Sequence, residues 1–305
     1  MSKGFSIDTM REKKTNLITR RQAIISLGAI AAGTLIKPTS IFCSSNVKEK
    51  ITFAVMGDFG TGDADQHGLA KKMCETHTQT PFEFVLTTGD NIYENGSGRH
   101  FVKKFEEPFA DLIKEQVPFY ASLGNHDVQE GRQDQTSYPL FNMGGNNYYT
   151  ISKGNGLADF FMLDTTDFGL TQTSWLENAL RNSKAKWKIA AFHHPLYSSA
   201  KKHGSDMKLR SKIEPLFTHY GVKVVFAGHD HIYERVKLQQ GIQHFITGAG
   251  GKTRRGDVDL KSEIRAVTFD KDNHFMLMDL DENEIAFKAI SETGEVVDTG
   301  TIKQE

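Results

Sequence analysis

Two histidines stand two residues apart in Gly228-His229-Asp230-His231, directly after the apolar run Val222-Lys223-Val224-Val225-Phe226-Ala227. On an extended or tightly turned backbone both imidazoles can reach one small volume, which makes them a candidate pair of metal ligands. Two nitrogens do not complete a site. Four clusters upstream share the same design, an apolar run and then polar residues: Val55-Met56-Gly57-Asp58, Leu86-Thr87-Thr88-Gly89-Asp90-Asn91, Leu123-Gly124-Asn125-His126-Asp127 and Ala190-Ala191-Phe192-His193-His194. Together the clusters supply Asp58, Asp90, Tyr93, Asn125, His193, His229 and His231, with Asp90 suited to bridging. Such a set fits two ions about 3.5–4 Å apart, which clamp the attacking and leaving oxygens of an in-line displacement and lower the pKa of bound water. A phosphate ester is the natural substrate. His126 and His203 remain as donors to phosphoryl oxygens or to the leaving alcohol, and Asp127 as the carboxylate that holds the tautomer of His126. Plainer readings stand beside these: a helix cap for Asp58, a turn for Gly124-Asn125 and a packing ring for Tyr93. As a ligand Tyr93 must lose its proton, which needs a strongly Lewis-acidic ion such as Fe(III).

The elements that must position these residues are strands ending at each cluster, because ligands of open α/β sheets gather at strand carboxyl ends. Apolar, β-branched runs predict strands over 51–57, 82–88, 117–123, 187–192, 222–227 and 242–246. Helices are expected over 65–77, 98–114, 171–182 and 207–220. Residues 148–151 and 160–163 read as paired strands of a second sheet, and alternation after 275 as an antiparallel meander that finishes that second sheet. Residues 129–147 read as a polar surface loop near the site. Asp164 reads as a structural turn carboxylate. Strand alternation would send only one of His193 and His194 into the site. Thr247-Gly248-Ala249-Gly250-Gly251-Lys252-Thr253 has the end of a phosphate-binding loop but lacks its first glycine, where Ile246 stands, and is rejected as one. Lys201, Lys202, Lys252, Arg254 and Arg255 are candidates for a cationic rim.

The 305 residues carry a net charge of −1, with 38% hydrophobic and 25% charged residues, an ordinary globular balance. Residues 1–46 hold seven Lys and Arg against two Asp and Glu, which leaves −6 elsewhere and no cationic excess for nucleic acid. Cys43 and Cys74 are too few and too far apart for a disulfide framework. Arg20-Arg21 precedes an apolar stretch over 23–36, too short to span a bilayer comfortably. It reads as a twin-arginine export signal, with Cys43 a poor lipidation site behind Phe42. The chain therefore divides into 1–46, signal and linker, and 47–305, catalytic domain. It is expected to use the twin-arginine machinery, to reach the periplasm or the outside, and to keep no stable membrane anchor.

Gly57-Asp58-Phe59-Gly60, Gly89-Asp90-Asn91-Ile92-Tyr93, Gly124-Asn125-His126-Asp127, His193 and Gly228-His229-Asp230-His231 resemble, in order, the motif series of the calcineurin-like metallophosphoesterases, and within them the purple acid phosphatases of the small, single-domain, tartrate-resistant type. The resemblance runs from about residue 51 to the end. It implies a four-layer α/β/β/α sandwich of two mixed sheets with the metal site at strand carboxyl ends. It also implies Asp58, Tyr93 and His231 on Fe(III), Asn125, His193 and His229 on Fe(II), Zn(II) or Mn(II), and Asp90 between them. His126 and His203 are then the substrate-side histidines. Many members of the superfamily carry D-x-H in the first motif. Here Gly60 stands in that place, and Tyr93 fills the missing ligand position. The implied activity is hydrolysis of small phosphate monoesters by a metal-activated hydroxide. The alternatives are a Mn- or Zn-dependent phosphodiesterase or nucleotidase, or a non-catalytic phosphate-binding protein on the same fold.

Overall fold

Apolar runs closed by turn residues become β1 (Ile51–Met56), then helix α1 (Ala64–Gln79), then β2 (Phe84–Thr87). A computed structural model describes Met1 and residues 49–304. The export-signal reading of residues 1–46, with Arg20, Arg21 and Cys43, lies outside the described residues, as does its boundary with the catalytic domain. Helix α1 starts where the Asp63 carboxylate accepts from Gln66 N at 3.1 Å. It buries Gln66, Leu69, Ala70 and Met73, one helical face. Next come α2 (Ala110–Lys114), β3 (Phe119–Ala121), α3 (Asp127–Glu130), α4 (Arg132–Ser137), β4 (Tyr149–Lys153), β5 (Ala158–Met162), α5 (Leu170–Asn182), β6 (Trp187–Phe192) and α6 (Met207–Tyr220). The chain finishes with β7 (Val224–Ala227), β8 (Tyr233–Val236), β9 (Gln243–Thr247), β10 (Arg265–Phe269), β11 (His274–Leu280), β12 (Glu284–Ser291) and β13 (Val296–Lys303).

The strands form a six-stranded sheet, β13-β12-β11-β1-β2-β3, and a seven-stranded sheet, β10-β8-β9-β7-β6-β5-β4. Both are mixed. β1, β2 and β3 run parallel, as do β5, β6, β7 and β9, with antiparallel strands toward the edges. Strand alternation sorts the core. Phe53 and Val55 of β1 point at the second sheet, where Phe53 meets Phe160 of β5 edge-on at 5.2 Å, while within its own sheet Phe53 stacks on Phe84 of β2 at 5.3 Å. Ala54 and Met56 point the other way, onto Leu69, Met73 and Leu112 of α1 and α2. In β6, Trp187, Ile189 and Ala191 face the first sheet, while Ala190 and Phe192 face Leu176, Leu180, Ile213 and Phe217 of α5 and α6. Helices thus cover both outer faces, giving the expected four-layer sandwich. Each fully buried aromatic contributes about 2–3 kcal/mol to it.

Four expectations are corrected. The C-terminal meander belongs to the first sheet, because β11 pairs with β1 in the register Phe53↔Met278. Its apolar period is equally compatible with either sheet edge. β8 and β10 were not anticipated. β8 reads polar because Glu234 is buried within it and Arg235 reaches Asp298 at 2.8 Å. The helix over 98–114 is broken into Gly98–His100, Val102–Glu106 and α2, with Pro108, which has no N–H to donate, at the break. Its apolar face persists: Phe101, Phe105, Phe109 and Leu112 are buried. The segment 129–147 is largely helical and packed, with Gln135, Phe141 and Met143 buried.

His244 and His274 lie wholly inside, and the nitrogens of His274 have no protein partner. Burial holds both near pKa 3. A histidine neutral in the fold but ordinary in the unfolded chain gives stability that is full above about pH 6.5 and lost as pH falls toward 3. At pH 5 the loss is about 2 kcal/mol per ring. The His274→Leu chain should therefore lose several degrees less in Tm than the wild type between pH 7.5 and 5.0. An unchanged drop in Tm, measured by calorimetry, would contradict this.

Candidate metal centre

Five loops leave the carboxyl ends of β1, β2, β3, β6 and β7. Pairing registers level these ends: Met56 lies opposite Thr87, Thr87 opposite Ala121, and Phe192 opposite Ala227. The loops are tied to one another by Asp58 N→Gly89 O (2.9 Å), Tyr93 N→Gly60 O (2.8 Å) and Gly228 N→His193 O (3.0 Å). Each chain must turn back at once, and three of the candidate ligands do so in the left-handed region: Asp58 at φ 56°, Asp90 at 50° and His229 at 69°. Such conformations cost non-glycine residues of order 1–3 kcal/mol each and persist where the surroundings hold them.

The donors form two groups on either side of Asp90. In one, Tyr93 Oη is 3.2 Å from Asp58 Oδ1 and 3.2 Å from His231 Nε2, and those two atoms are 3.5 Å apart. In the other, His193 Nε2 is 2.9 Å from Asn125 Oδ1 and 3.1 Å from His229 Nδ1. Asp90 Oδ1 is 3.5 Å from His193 Nε2. Ligands bonded at about 2.0–2.2 Å to one ion sit roughly 2.8–3.5 Å from each other, so the three edges of the first group and the two edges that meet at His193 in the second have the right lengths. His193 Nδ1 donates to Thr88 O at 2.9 Å, which leaves the lone pair on Nε2, the nitrogen that faces Asn125.

The electrostatics ask for cations. Burial, then the neighbouring Asp90, pushes Asp58 well above the usual carboxylate range, and burial also raises Asp90. Burial with Asp58 and Asp90 nearby raises the Tyr93 phenol. Burial pushes His193 and His229 far down, and with help from Arg254 holds His231 at about 3. The imidazoles therefore present free lone pairs, and two buried carboxylates compete for the same space. Bound cations reverse this penalty, so the donor set fits metal ions.

Two glycines make room for the loop that carries Asp90 and Tyr93. A Cβ on Gly60 would lie 1.8 Å from Asn91 O, so the loop that delivers Tyr93 occupies the room a side chain at 60 would need. A Cβ on Gly124 would lie 2.2 Å from Asp90 N and Oδ1. The rejected phosphate-loop segment has a structural task, since Gly250 N donates to Gly57 O at 2.8 Å and backs the Asp58 turn. Beyond it, Lys252 Nζ stands 3.8 Å over the Tyr93 ring and Arg254 Nη2 3.5 Å from His231 Nδ1. Lys202 lines a cavity with His203 and His229. Lys201 bonds Gly256 O and Arg255 turns to Lys271 O, so these two are not part of the rim.

The structure brings all seven expected donors together, with His126 and His203 beside them. His126 Nε2 is 4.0 Å from Asp90 Oδ2, and the His203 ring is 4.1 Å from that of His229. Asp127 is different from the expectation. It is buried and does not hold the His126 ring, whose Nδ1 donates instead to Glu94 O. Asp127 accepts from Gly124 N, Asn91 N, Asn91 Nδ2 and Ile92 N, and so rivets the Asn125 loop to the Asp90–Tyr93 loop. Asn91, in the same rivet, was overlooked as a positioning residue, although its place beside Asp90 was a signal. Strand alternation would admit only one of His193 and His194, but β6 ends at Phe192 and both following rings reach the His229 ring. Asp164 is the turn carboxylate expected, paired with Arg132 and capping Thr166 N at 2.9 Å. Asp127→Ala should cost about 3 kcal/mol or more by orphaning buried N–H groups. It should also release metal. A variant with wild-type unfolding free energy and metal content would refute the rivet.

Residues 51–233 match the calcineurin-like phosphoesterase family. Purple acid phosphatase 4 of Arabidopsis thaliana is 30% identical over 243 residues, 69% of this chain and 71% of that protein. Tartrate-resistant acid phosphatase type 5 of Mus musculus is 28% identical over 264 residues, 74% of this chain and 77% of that protein. Among solved structures, GAP50, the anchor in the inner membrane complex of Plasmodium, superposes with a TM-score of 0.73 at 22% identity, over 85% of this chain and 90% of that one, a likeness of fold. The chain belongs to the calcineurin-like phosphoesterase family, with purple acid phosphatases and tartrate-resistant acid phosphatases among its homologues.

Proposed function

We propose that the protein is an acid phosphatase that hydrolyses small phosphate monoesters at a dinuclear centre. Asp58, Tyr93 and His231 would hold Fe(III), Asn125, His193 and His229 would hold Fe(II), Zn(II) or Mn(II), and Asp90 would serve both. The observation that carries this reading is the pair of donor triangles flanking Asp90, one of which contains a buried tyrosine oxygen. Burial of Tyr93 Oη between Asp58 and His231 favours the ligand role over the packing role, and so favours the phosphatase over a Mn- or Zn-dependent phosphodiesterase. When bound, the two ions supply Lewis acidity toward the phosphoryl oxygens and an acidified water.

The chain's own residues do the rest. His126, fixed by Glu94 O through Nδ1, presents Nε2 to the site and can donate to a phosphoryl oxygen or to the leaving alcohol. His203 stands over His229 on the side of the cavity. Lys252 and Arg254 give the rim positive charge, which draws an anionic ester inward. Residues 1–46 would export the protein through the twin-arginine route, a reading carried by Arg20-Arg21 and the apolar stretch behind them. Among the described residues no helix is long and apolar enough to cross a membrane.

Protein purified in air should show a broad visible charge-transfer band and should hydrolyse an aryl phosphate until a chelator strips it. Tyr93→Phe should lose the band while keeping part of the activity. A Tyr93→Phe chain with an unchanged spectrum would remove the iron–tyrosinate assignment. Asp90→Asn should lose both metal and activity, and full activity there would overturn the shared carboxylate. His126→Ala should lower kcat about 100-fold at unchanged metal content; a wild-type kcat would take His126 out of the reaction.

A further inference from the structure

His194 lies outside the seven-donor set, yet its ring is in the site. Its centroid is 5.0 Å from that of His193 and 4.6 Å from that of His229. The three histidines each bring one ring nitrogen within 4.8 Å of the others'. Two bonds to a single oxygen orient His194: its backbone N donates to Thr165 Oγ1 at 3.0 Å, and its Nδ1 lies 2.9 Å from the same atom. The Thr165 hydroxyl can either accept from Nδ1 or donate to it; the tautomer in which it accepts puts the ring proton on Nδ1 and leaves the lone pair on Nε2, and a metal-ligating His194 requires that one. In His193 the corresponding partner is the Thr88 carbonyl, which can only accept. An oxygen that accepts the second ring N–H is the usual support of a metal-ligating histidine. Thr165 follows β5, so a neighbouring strand's loop positions this ring, as Thr88 beyond β2 positions His193.

We propose that His194 is a third imidazole donor to the ion held by Asn125, His193 and His229, and that it biases this half-site toward Zn(II) or Fe(II) over Mn(II). The inference rests on the dinuclear reading above. Imidazole-rich sets suit zinc and iron, while carboxylate, carbonyl and water sets suit manganese and magnesium. Two histidines, an amide oxygen and a shared carboxylate leave the half-site close to balanced between these classes. A third nitrogen tips it.

The test uses the full chain with iron in the tyrosine half-site, its visible band serving as the integrity check. Zn(II) and Mn(II) are titrated into the other half-site against a chromophoric chelator. In His194→Phe the band should remain, zinc affinity should fall about tenfold or more, and manganese affinity should change little. Thr165→Val, which removes the oxygen orienting the ring, should show a smaller fall in zinc affinity. Wild-type zinc affinity in His194→Phe overturns the proposal. That includes the case in which only KM for an aryl phosphate rises, which makes His194 a substrate contact. If His194→Phe does not fold, unchanged zinc affinity in Thr165→Val overturns it. A wild-type chain that binds iron with its band but no second ion removes the dinuclear reading and this inference with it, whereas two bound ions with an indifferent His194 removes this inference alone.

Discussion

Asp58 and Asp90 are buried side by side, and their closest ion-pair partners among the described residues, His193 and His231, are kept neutral by burial. Two carboxylates in that position repel each other and resist ionisation. The rest of the site answers this one constraint. Three neutral imidazoles, an amide oxygen and a phenol crowd the same volume with their electron pairs inward. That assembly is unfavourable for a protein interior and favourable as a cage for positive charge.

Building the cage requires strands that end level and turn back abruptly. The two sheets do the first through their registers, and the left-handed conformations at Asp58, Asp90 and His229 do the second. The strain is carried by the aromatic core beneath, where Phe53, Phe84 and Phe160 lock the sheets together, and by Asp127, which joins two ligand loops without touching a substrate-side ring. Close backbone approach at Gly60 then settles which residue completes the first triangle, since the loop that excludes a side chain there is the one that brings Tyr93.

Much of this was legible in the chain. Asp58, Asp90, Tyr93, Asn125, His193, His229 and His231 could be named because each follows an apolar run, and strand polarity sends all such ends to one edge. The layered fold followed from the same runs. What the residues hid depended on tertiary context. Asp127 reads like a partner of its neighbour His126, but its four N–H donors come mostly from a loop more than thirty residues away in sequence. His194 fails a strand-alternation rule that stops applying one residue after β6. The meander of β11 to β13 has a clear period, yet period alone cannot choose between two sheets. β8 is disguised by Glu234 and Arg235, polar residues whose partners, Ser199 and Asp298, lie far off in the chain.

On the proposed reading Asp90 would serve two ions, and Tyr93 would hold one of them. A crystal of the aerobically purified chain, measured on both sides of the iron absorption edge, tests it most directly. Two anomalous peaks about 3.5–4 Å apart on either side of Asp90 are expected, with iron at the peak beside Tyr93 Oη. A single peak, or a pair in which the ion near Tyr93 gives no iron signal and stands clear of the phenol oxygen, would contradict it.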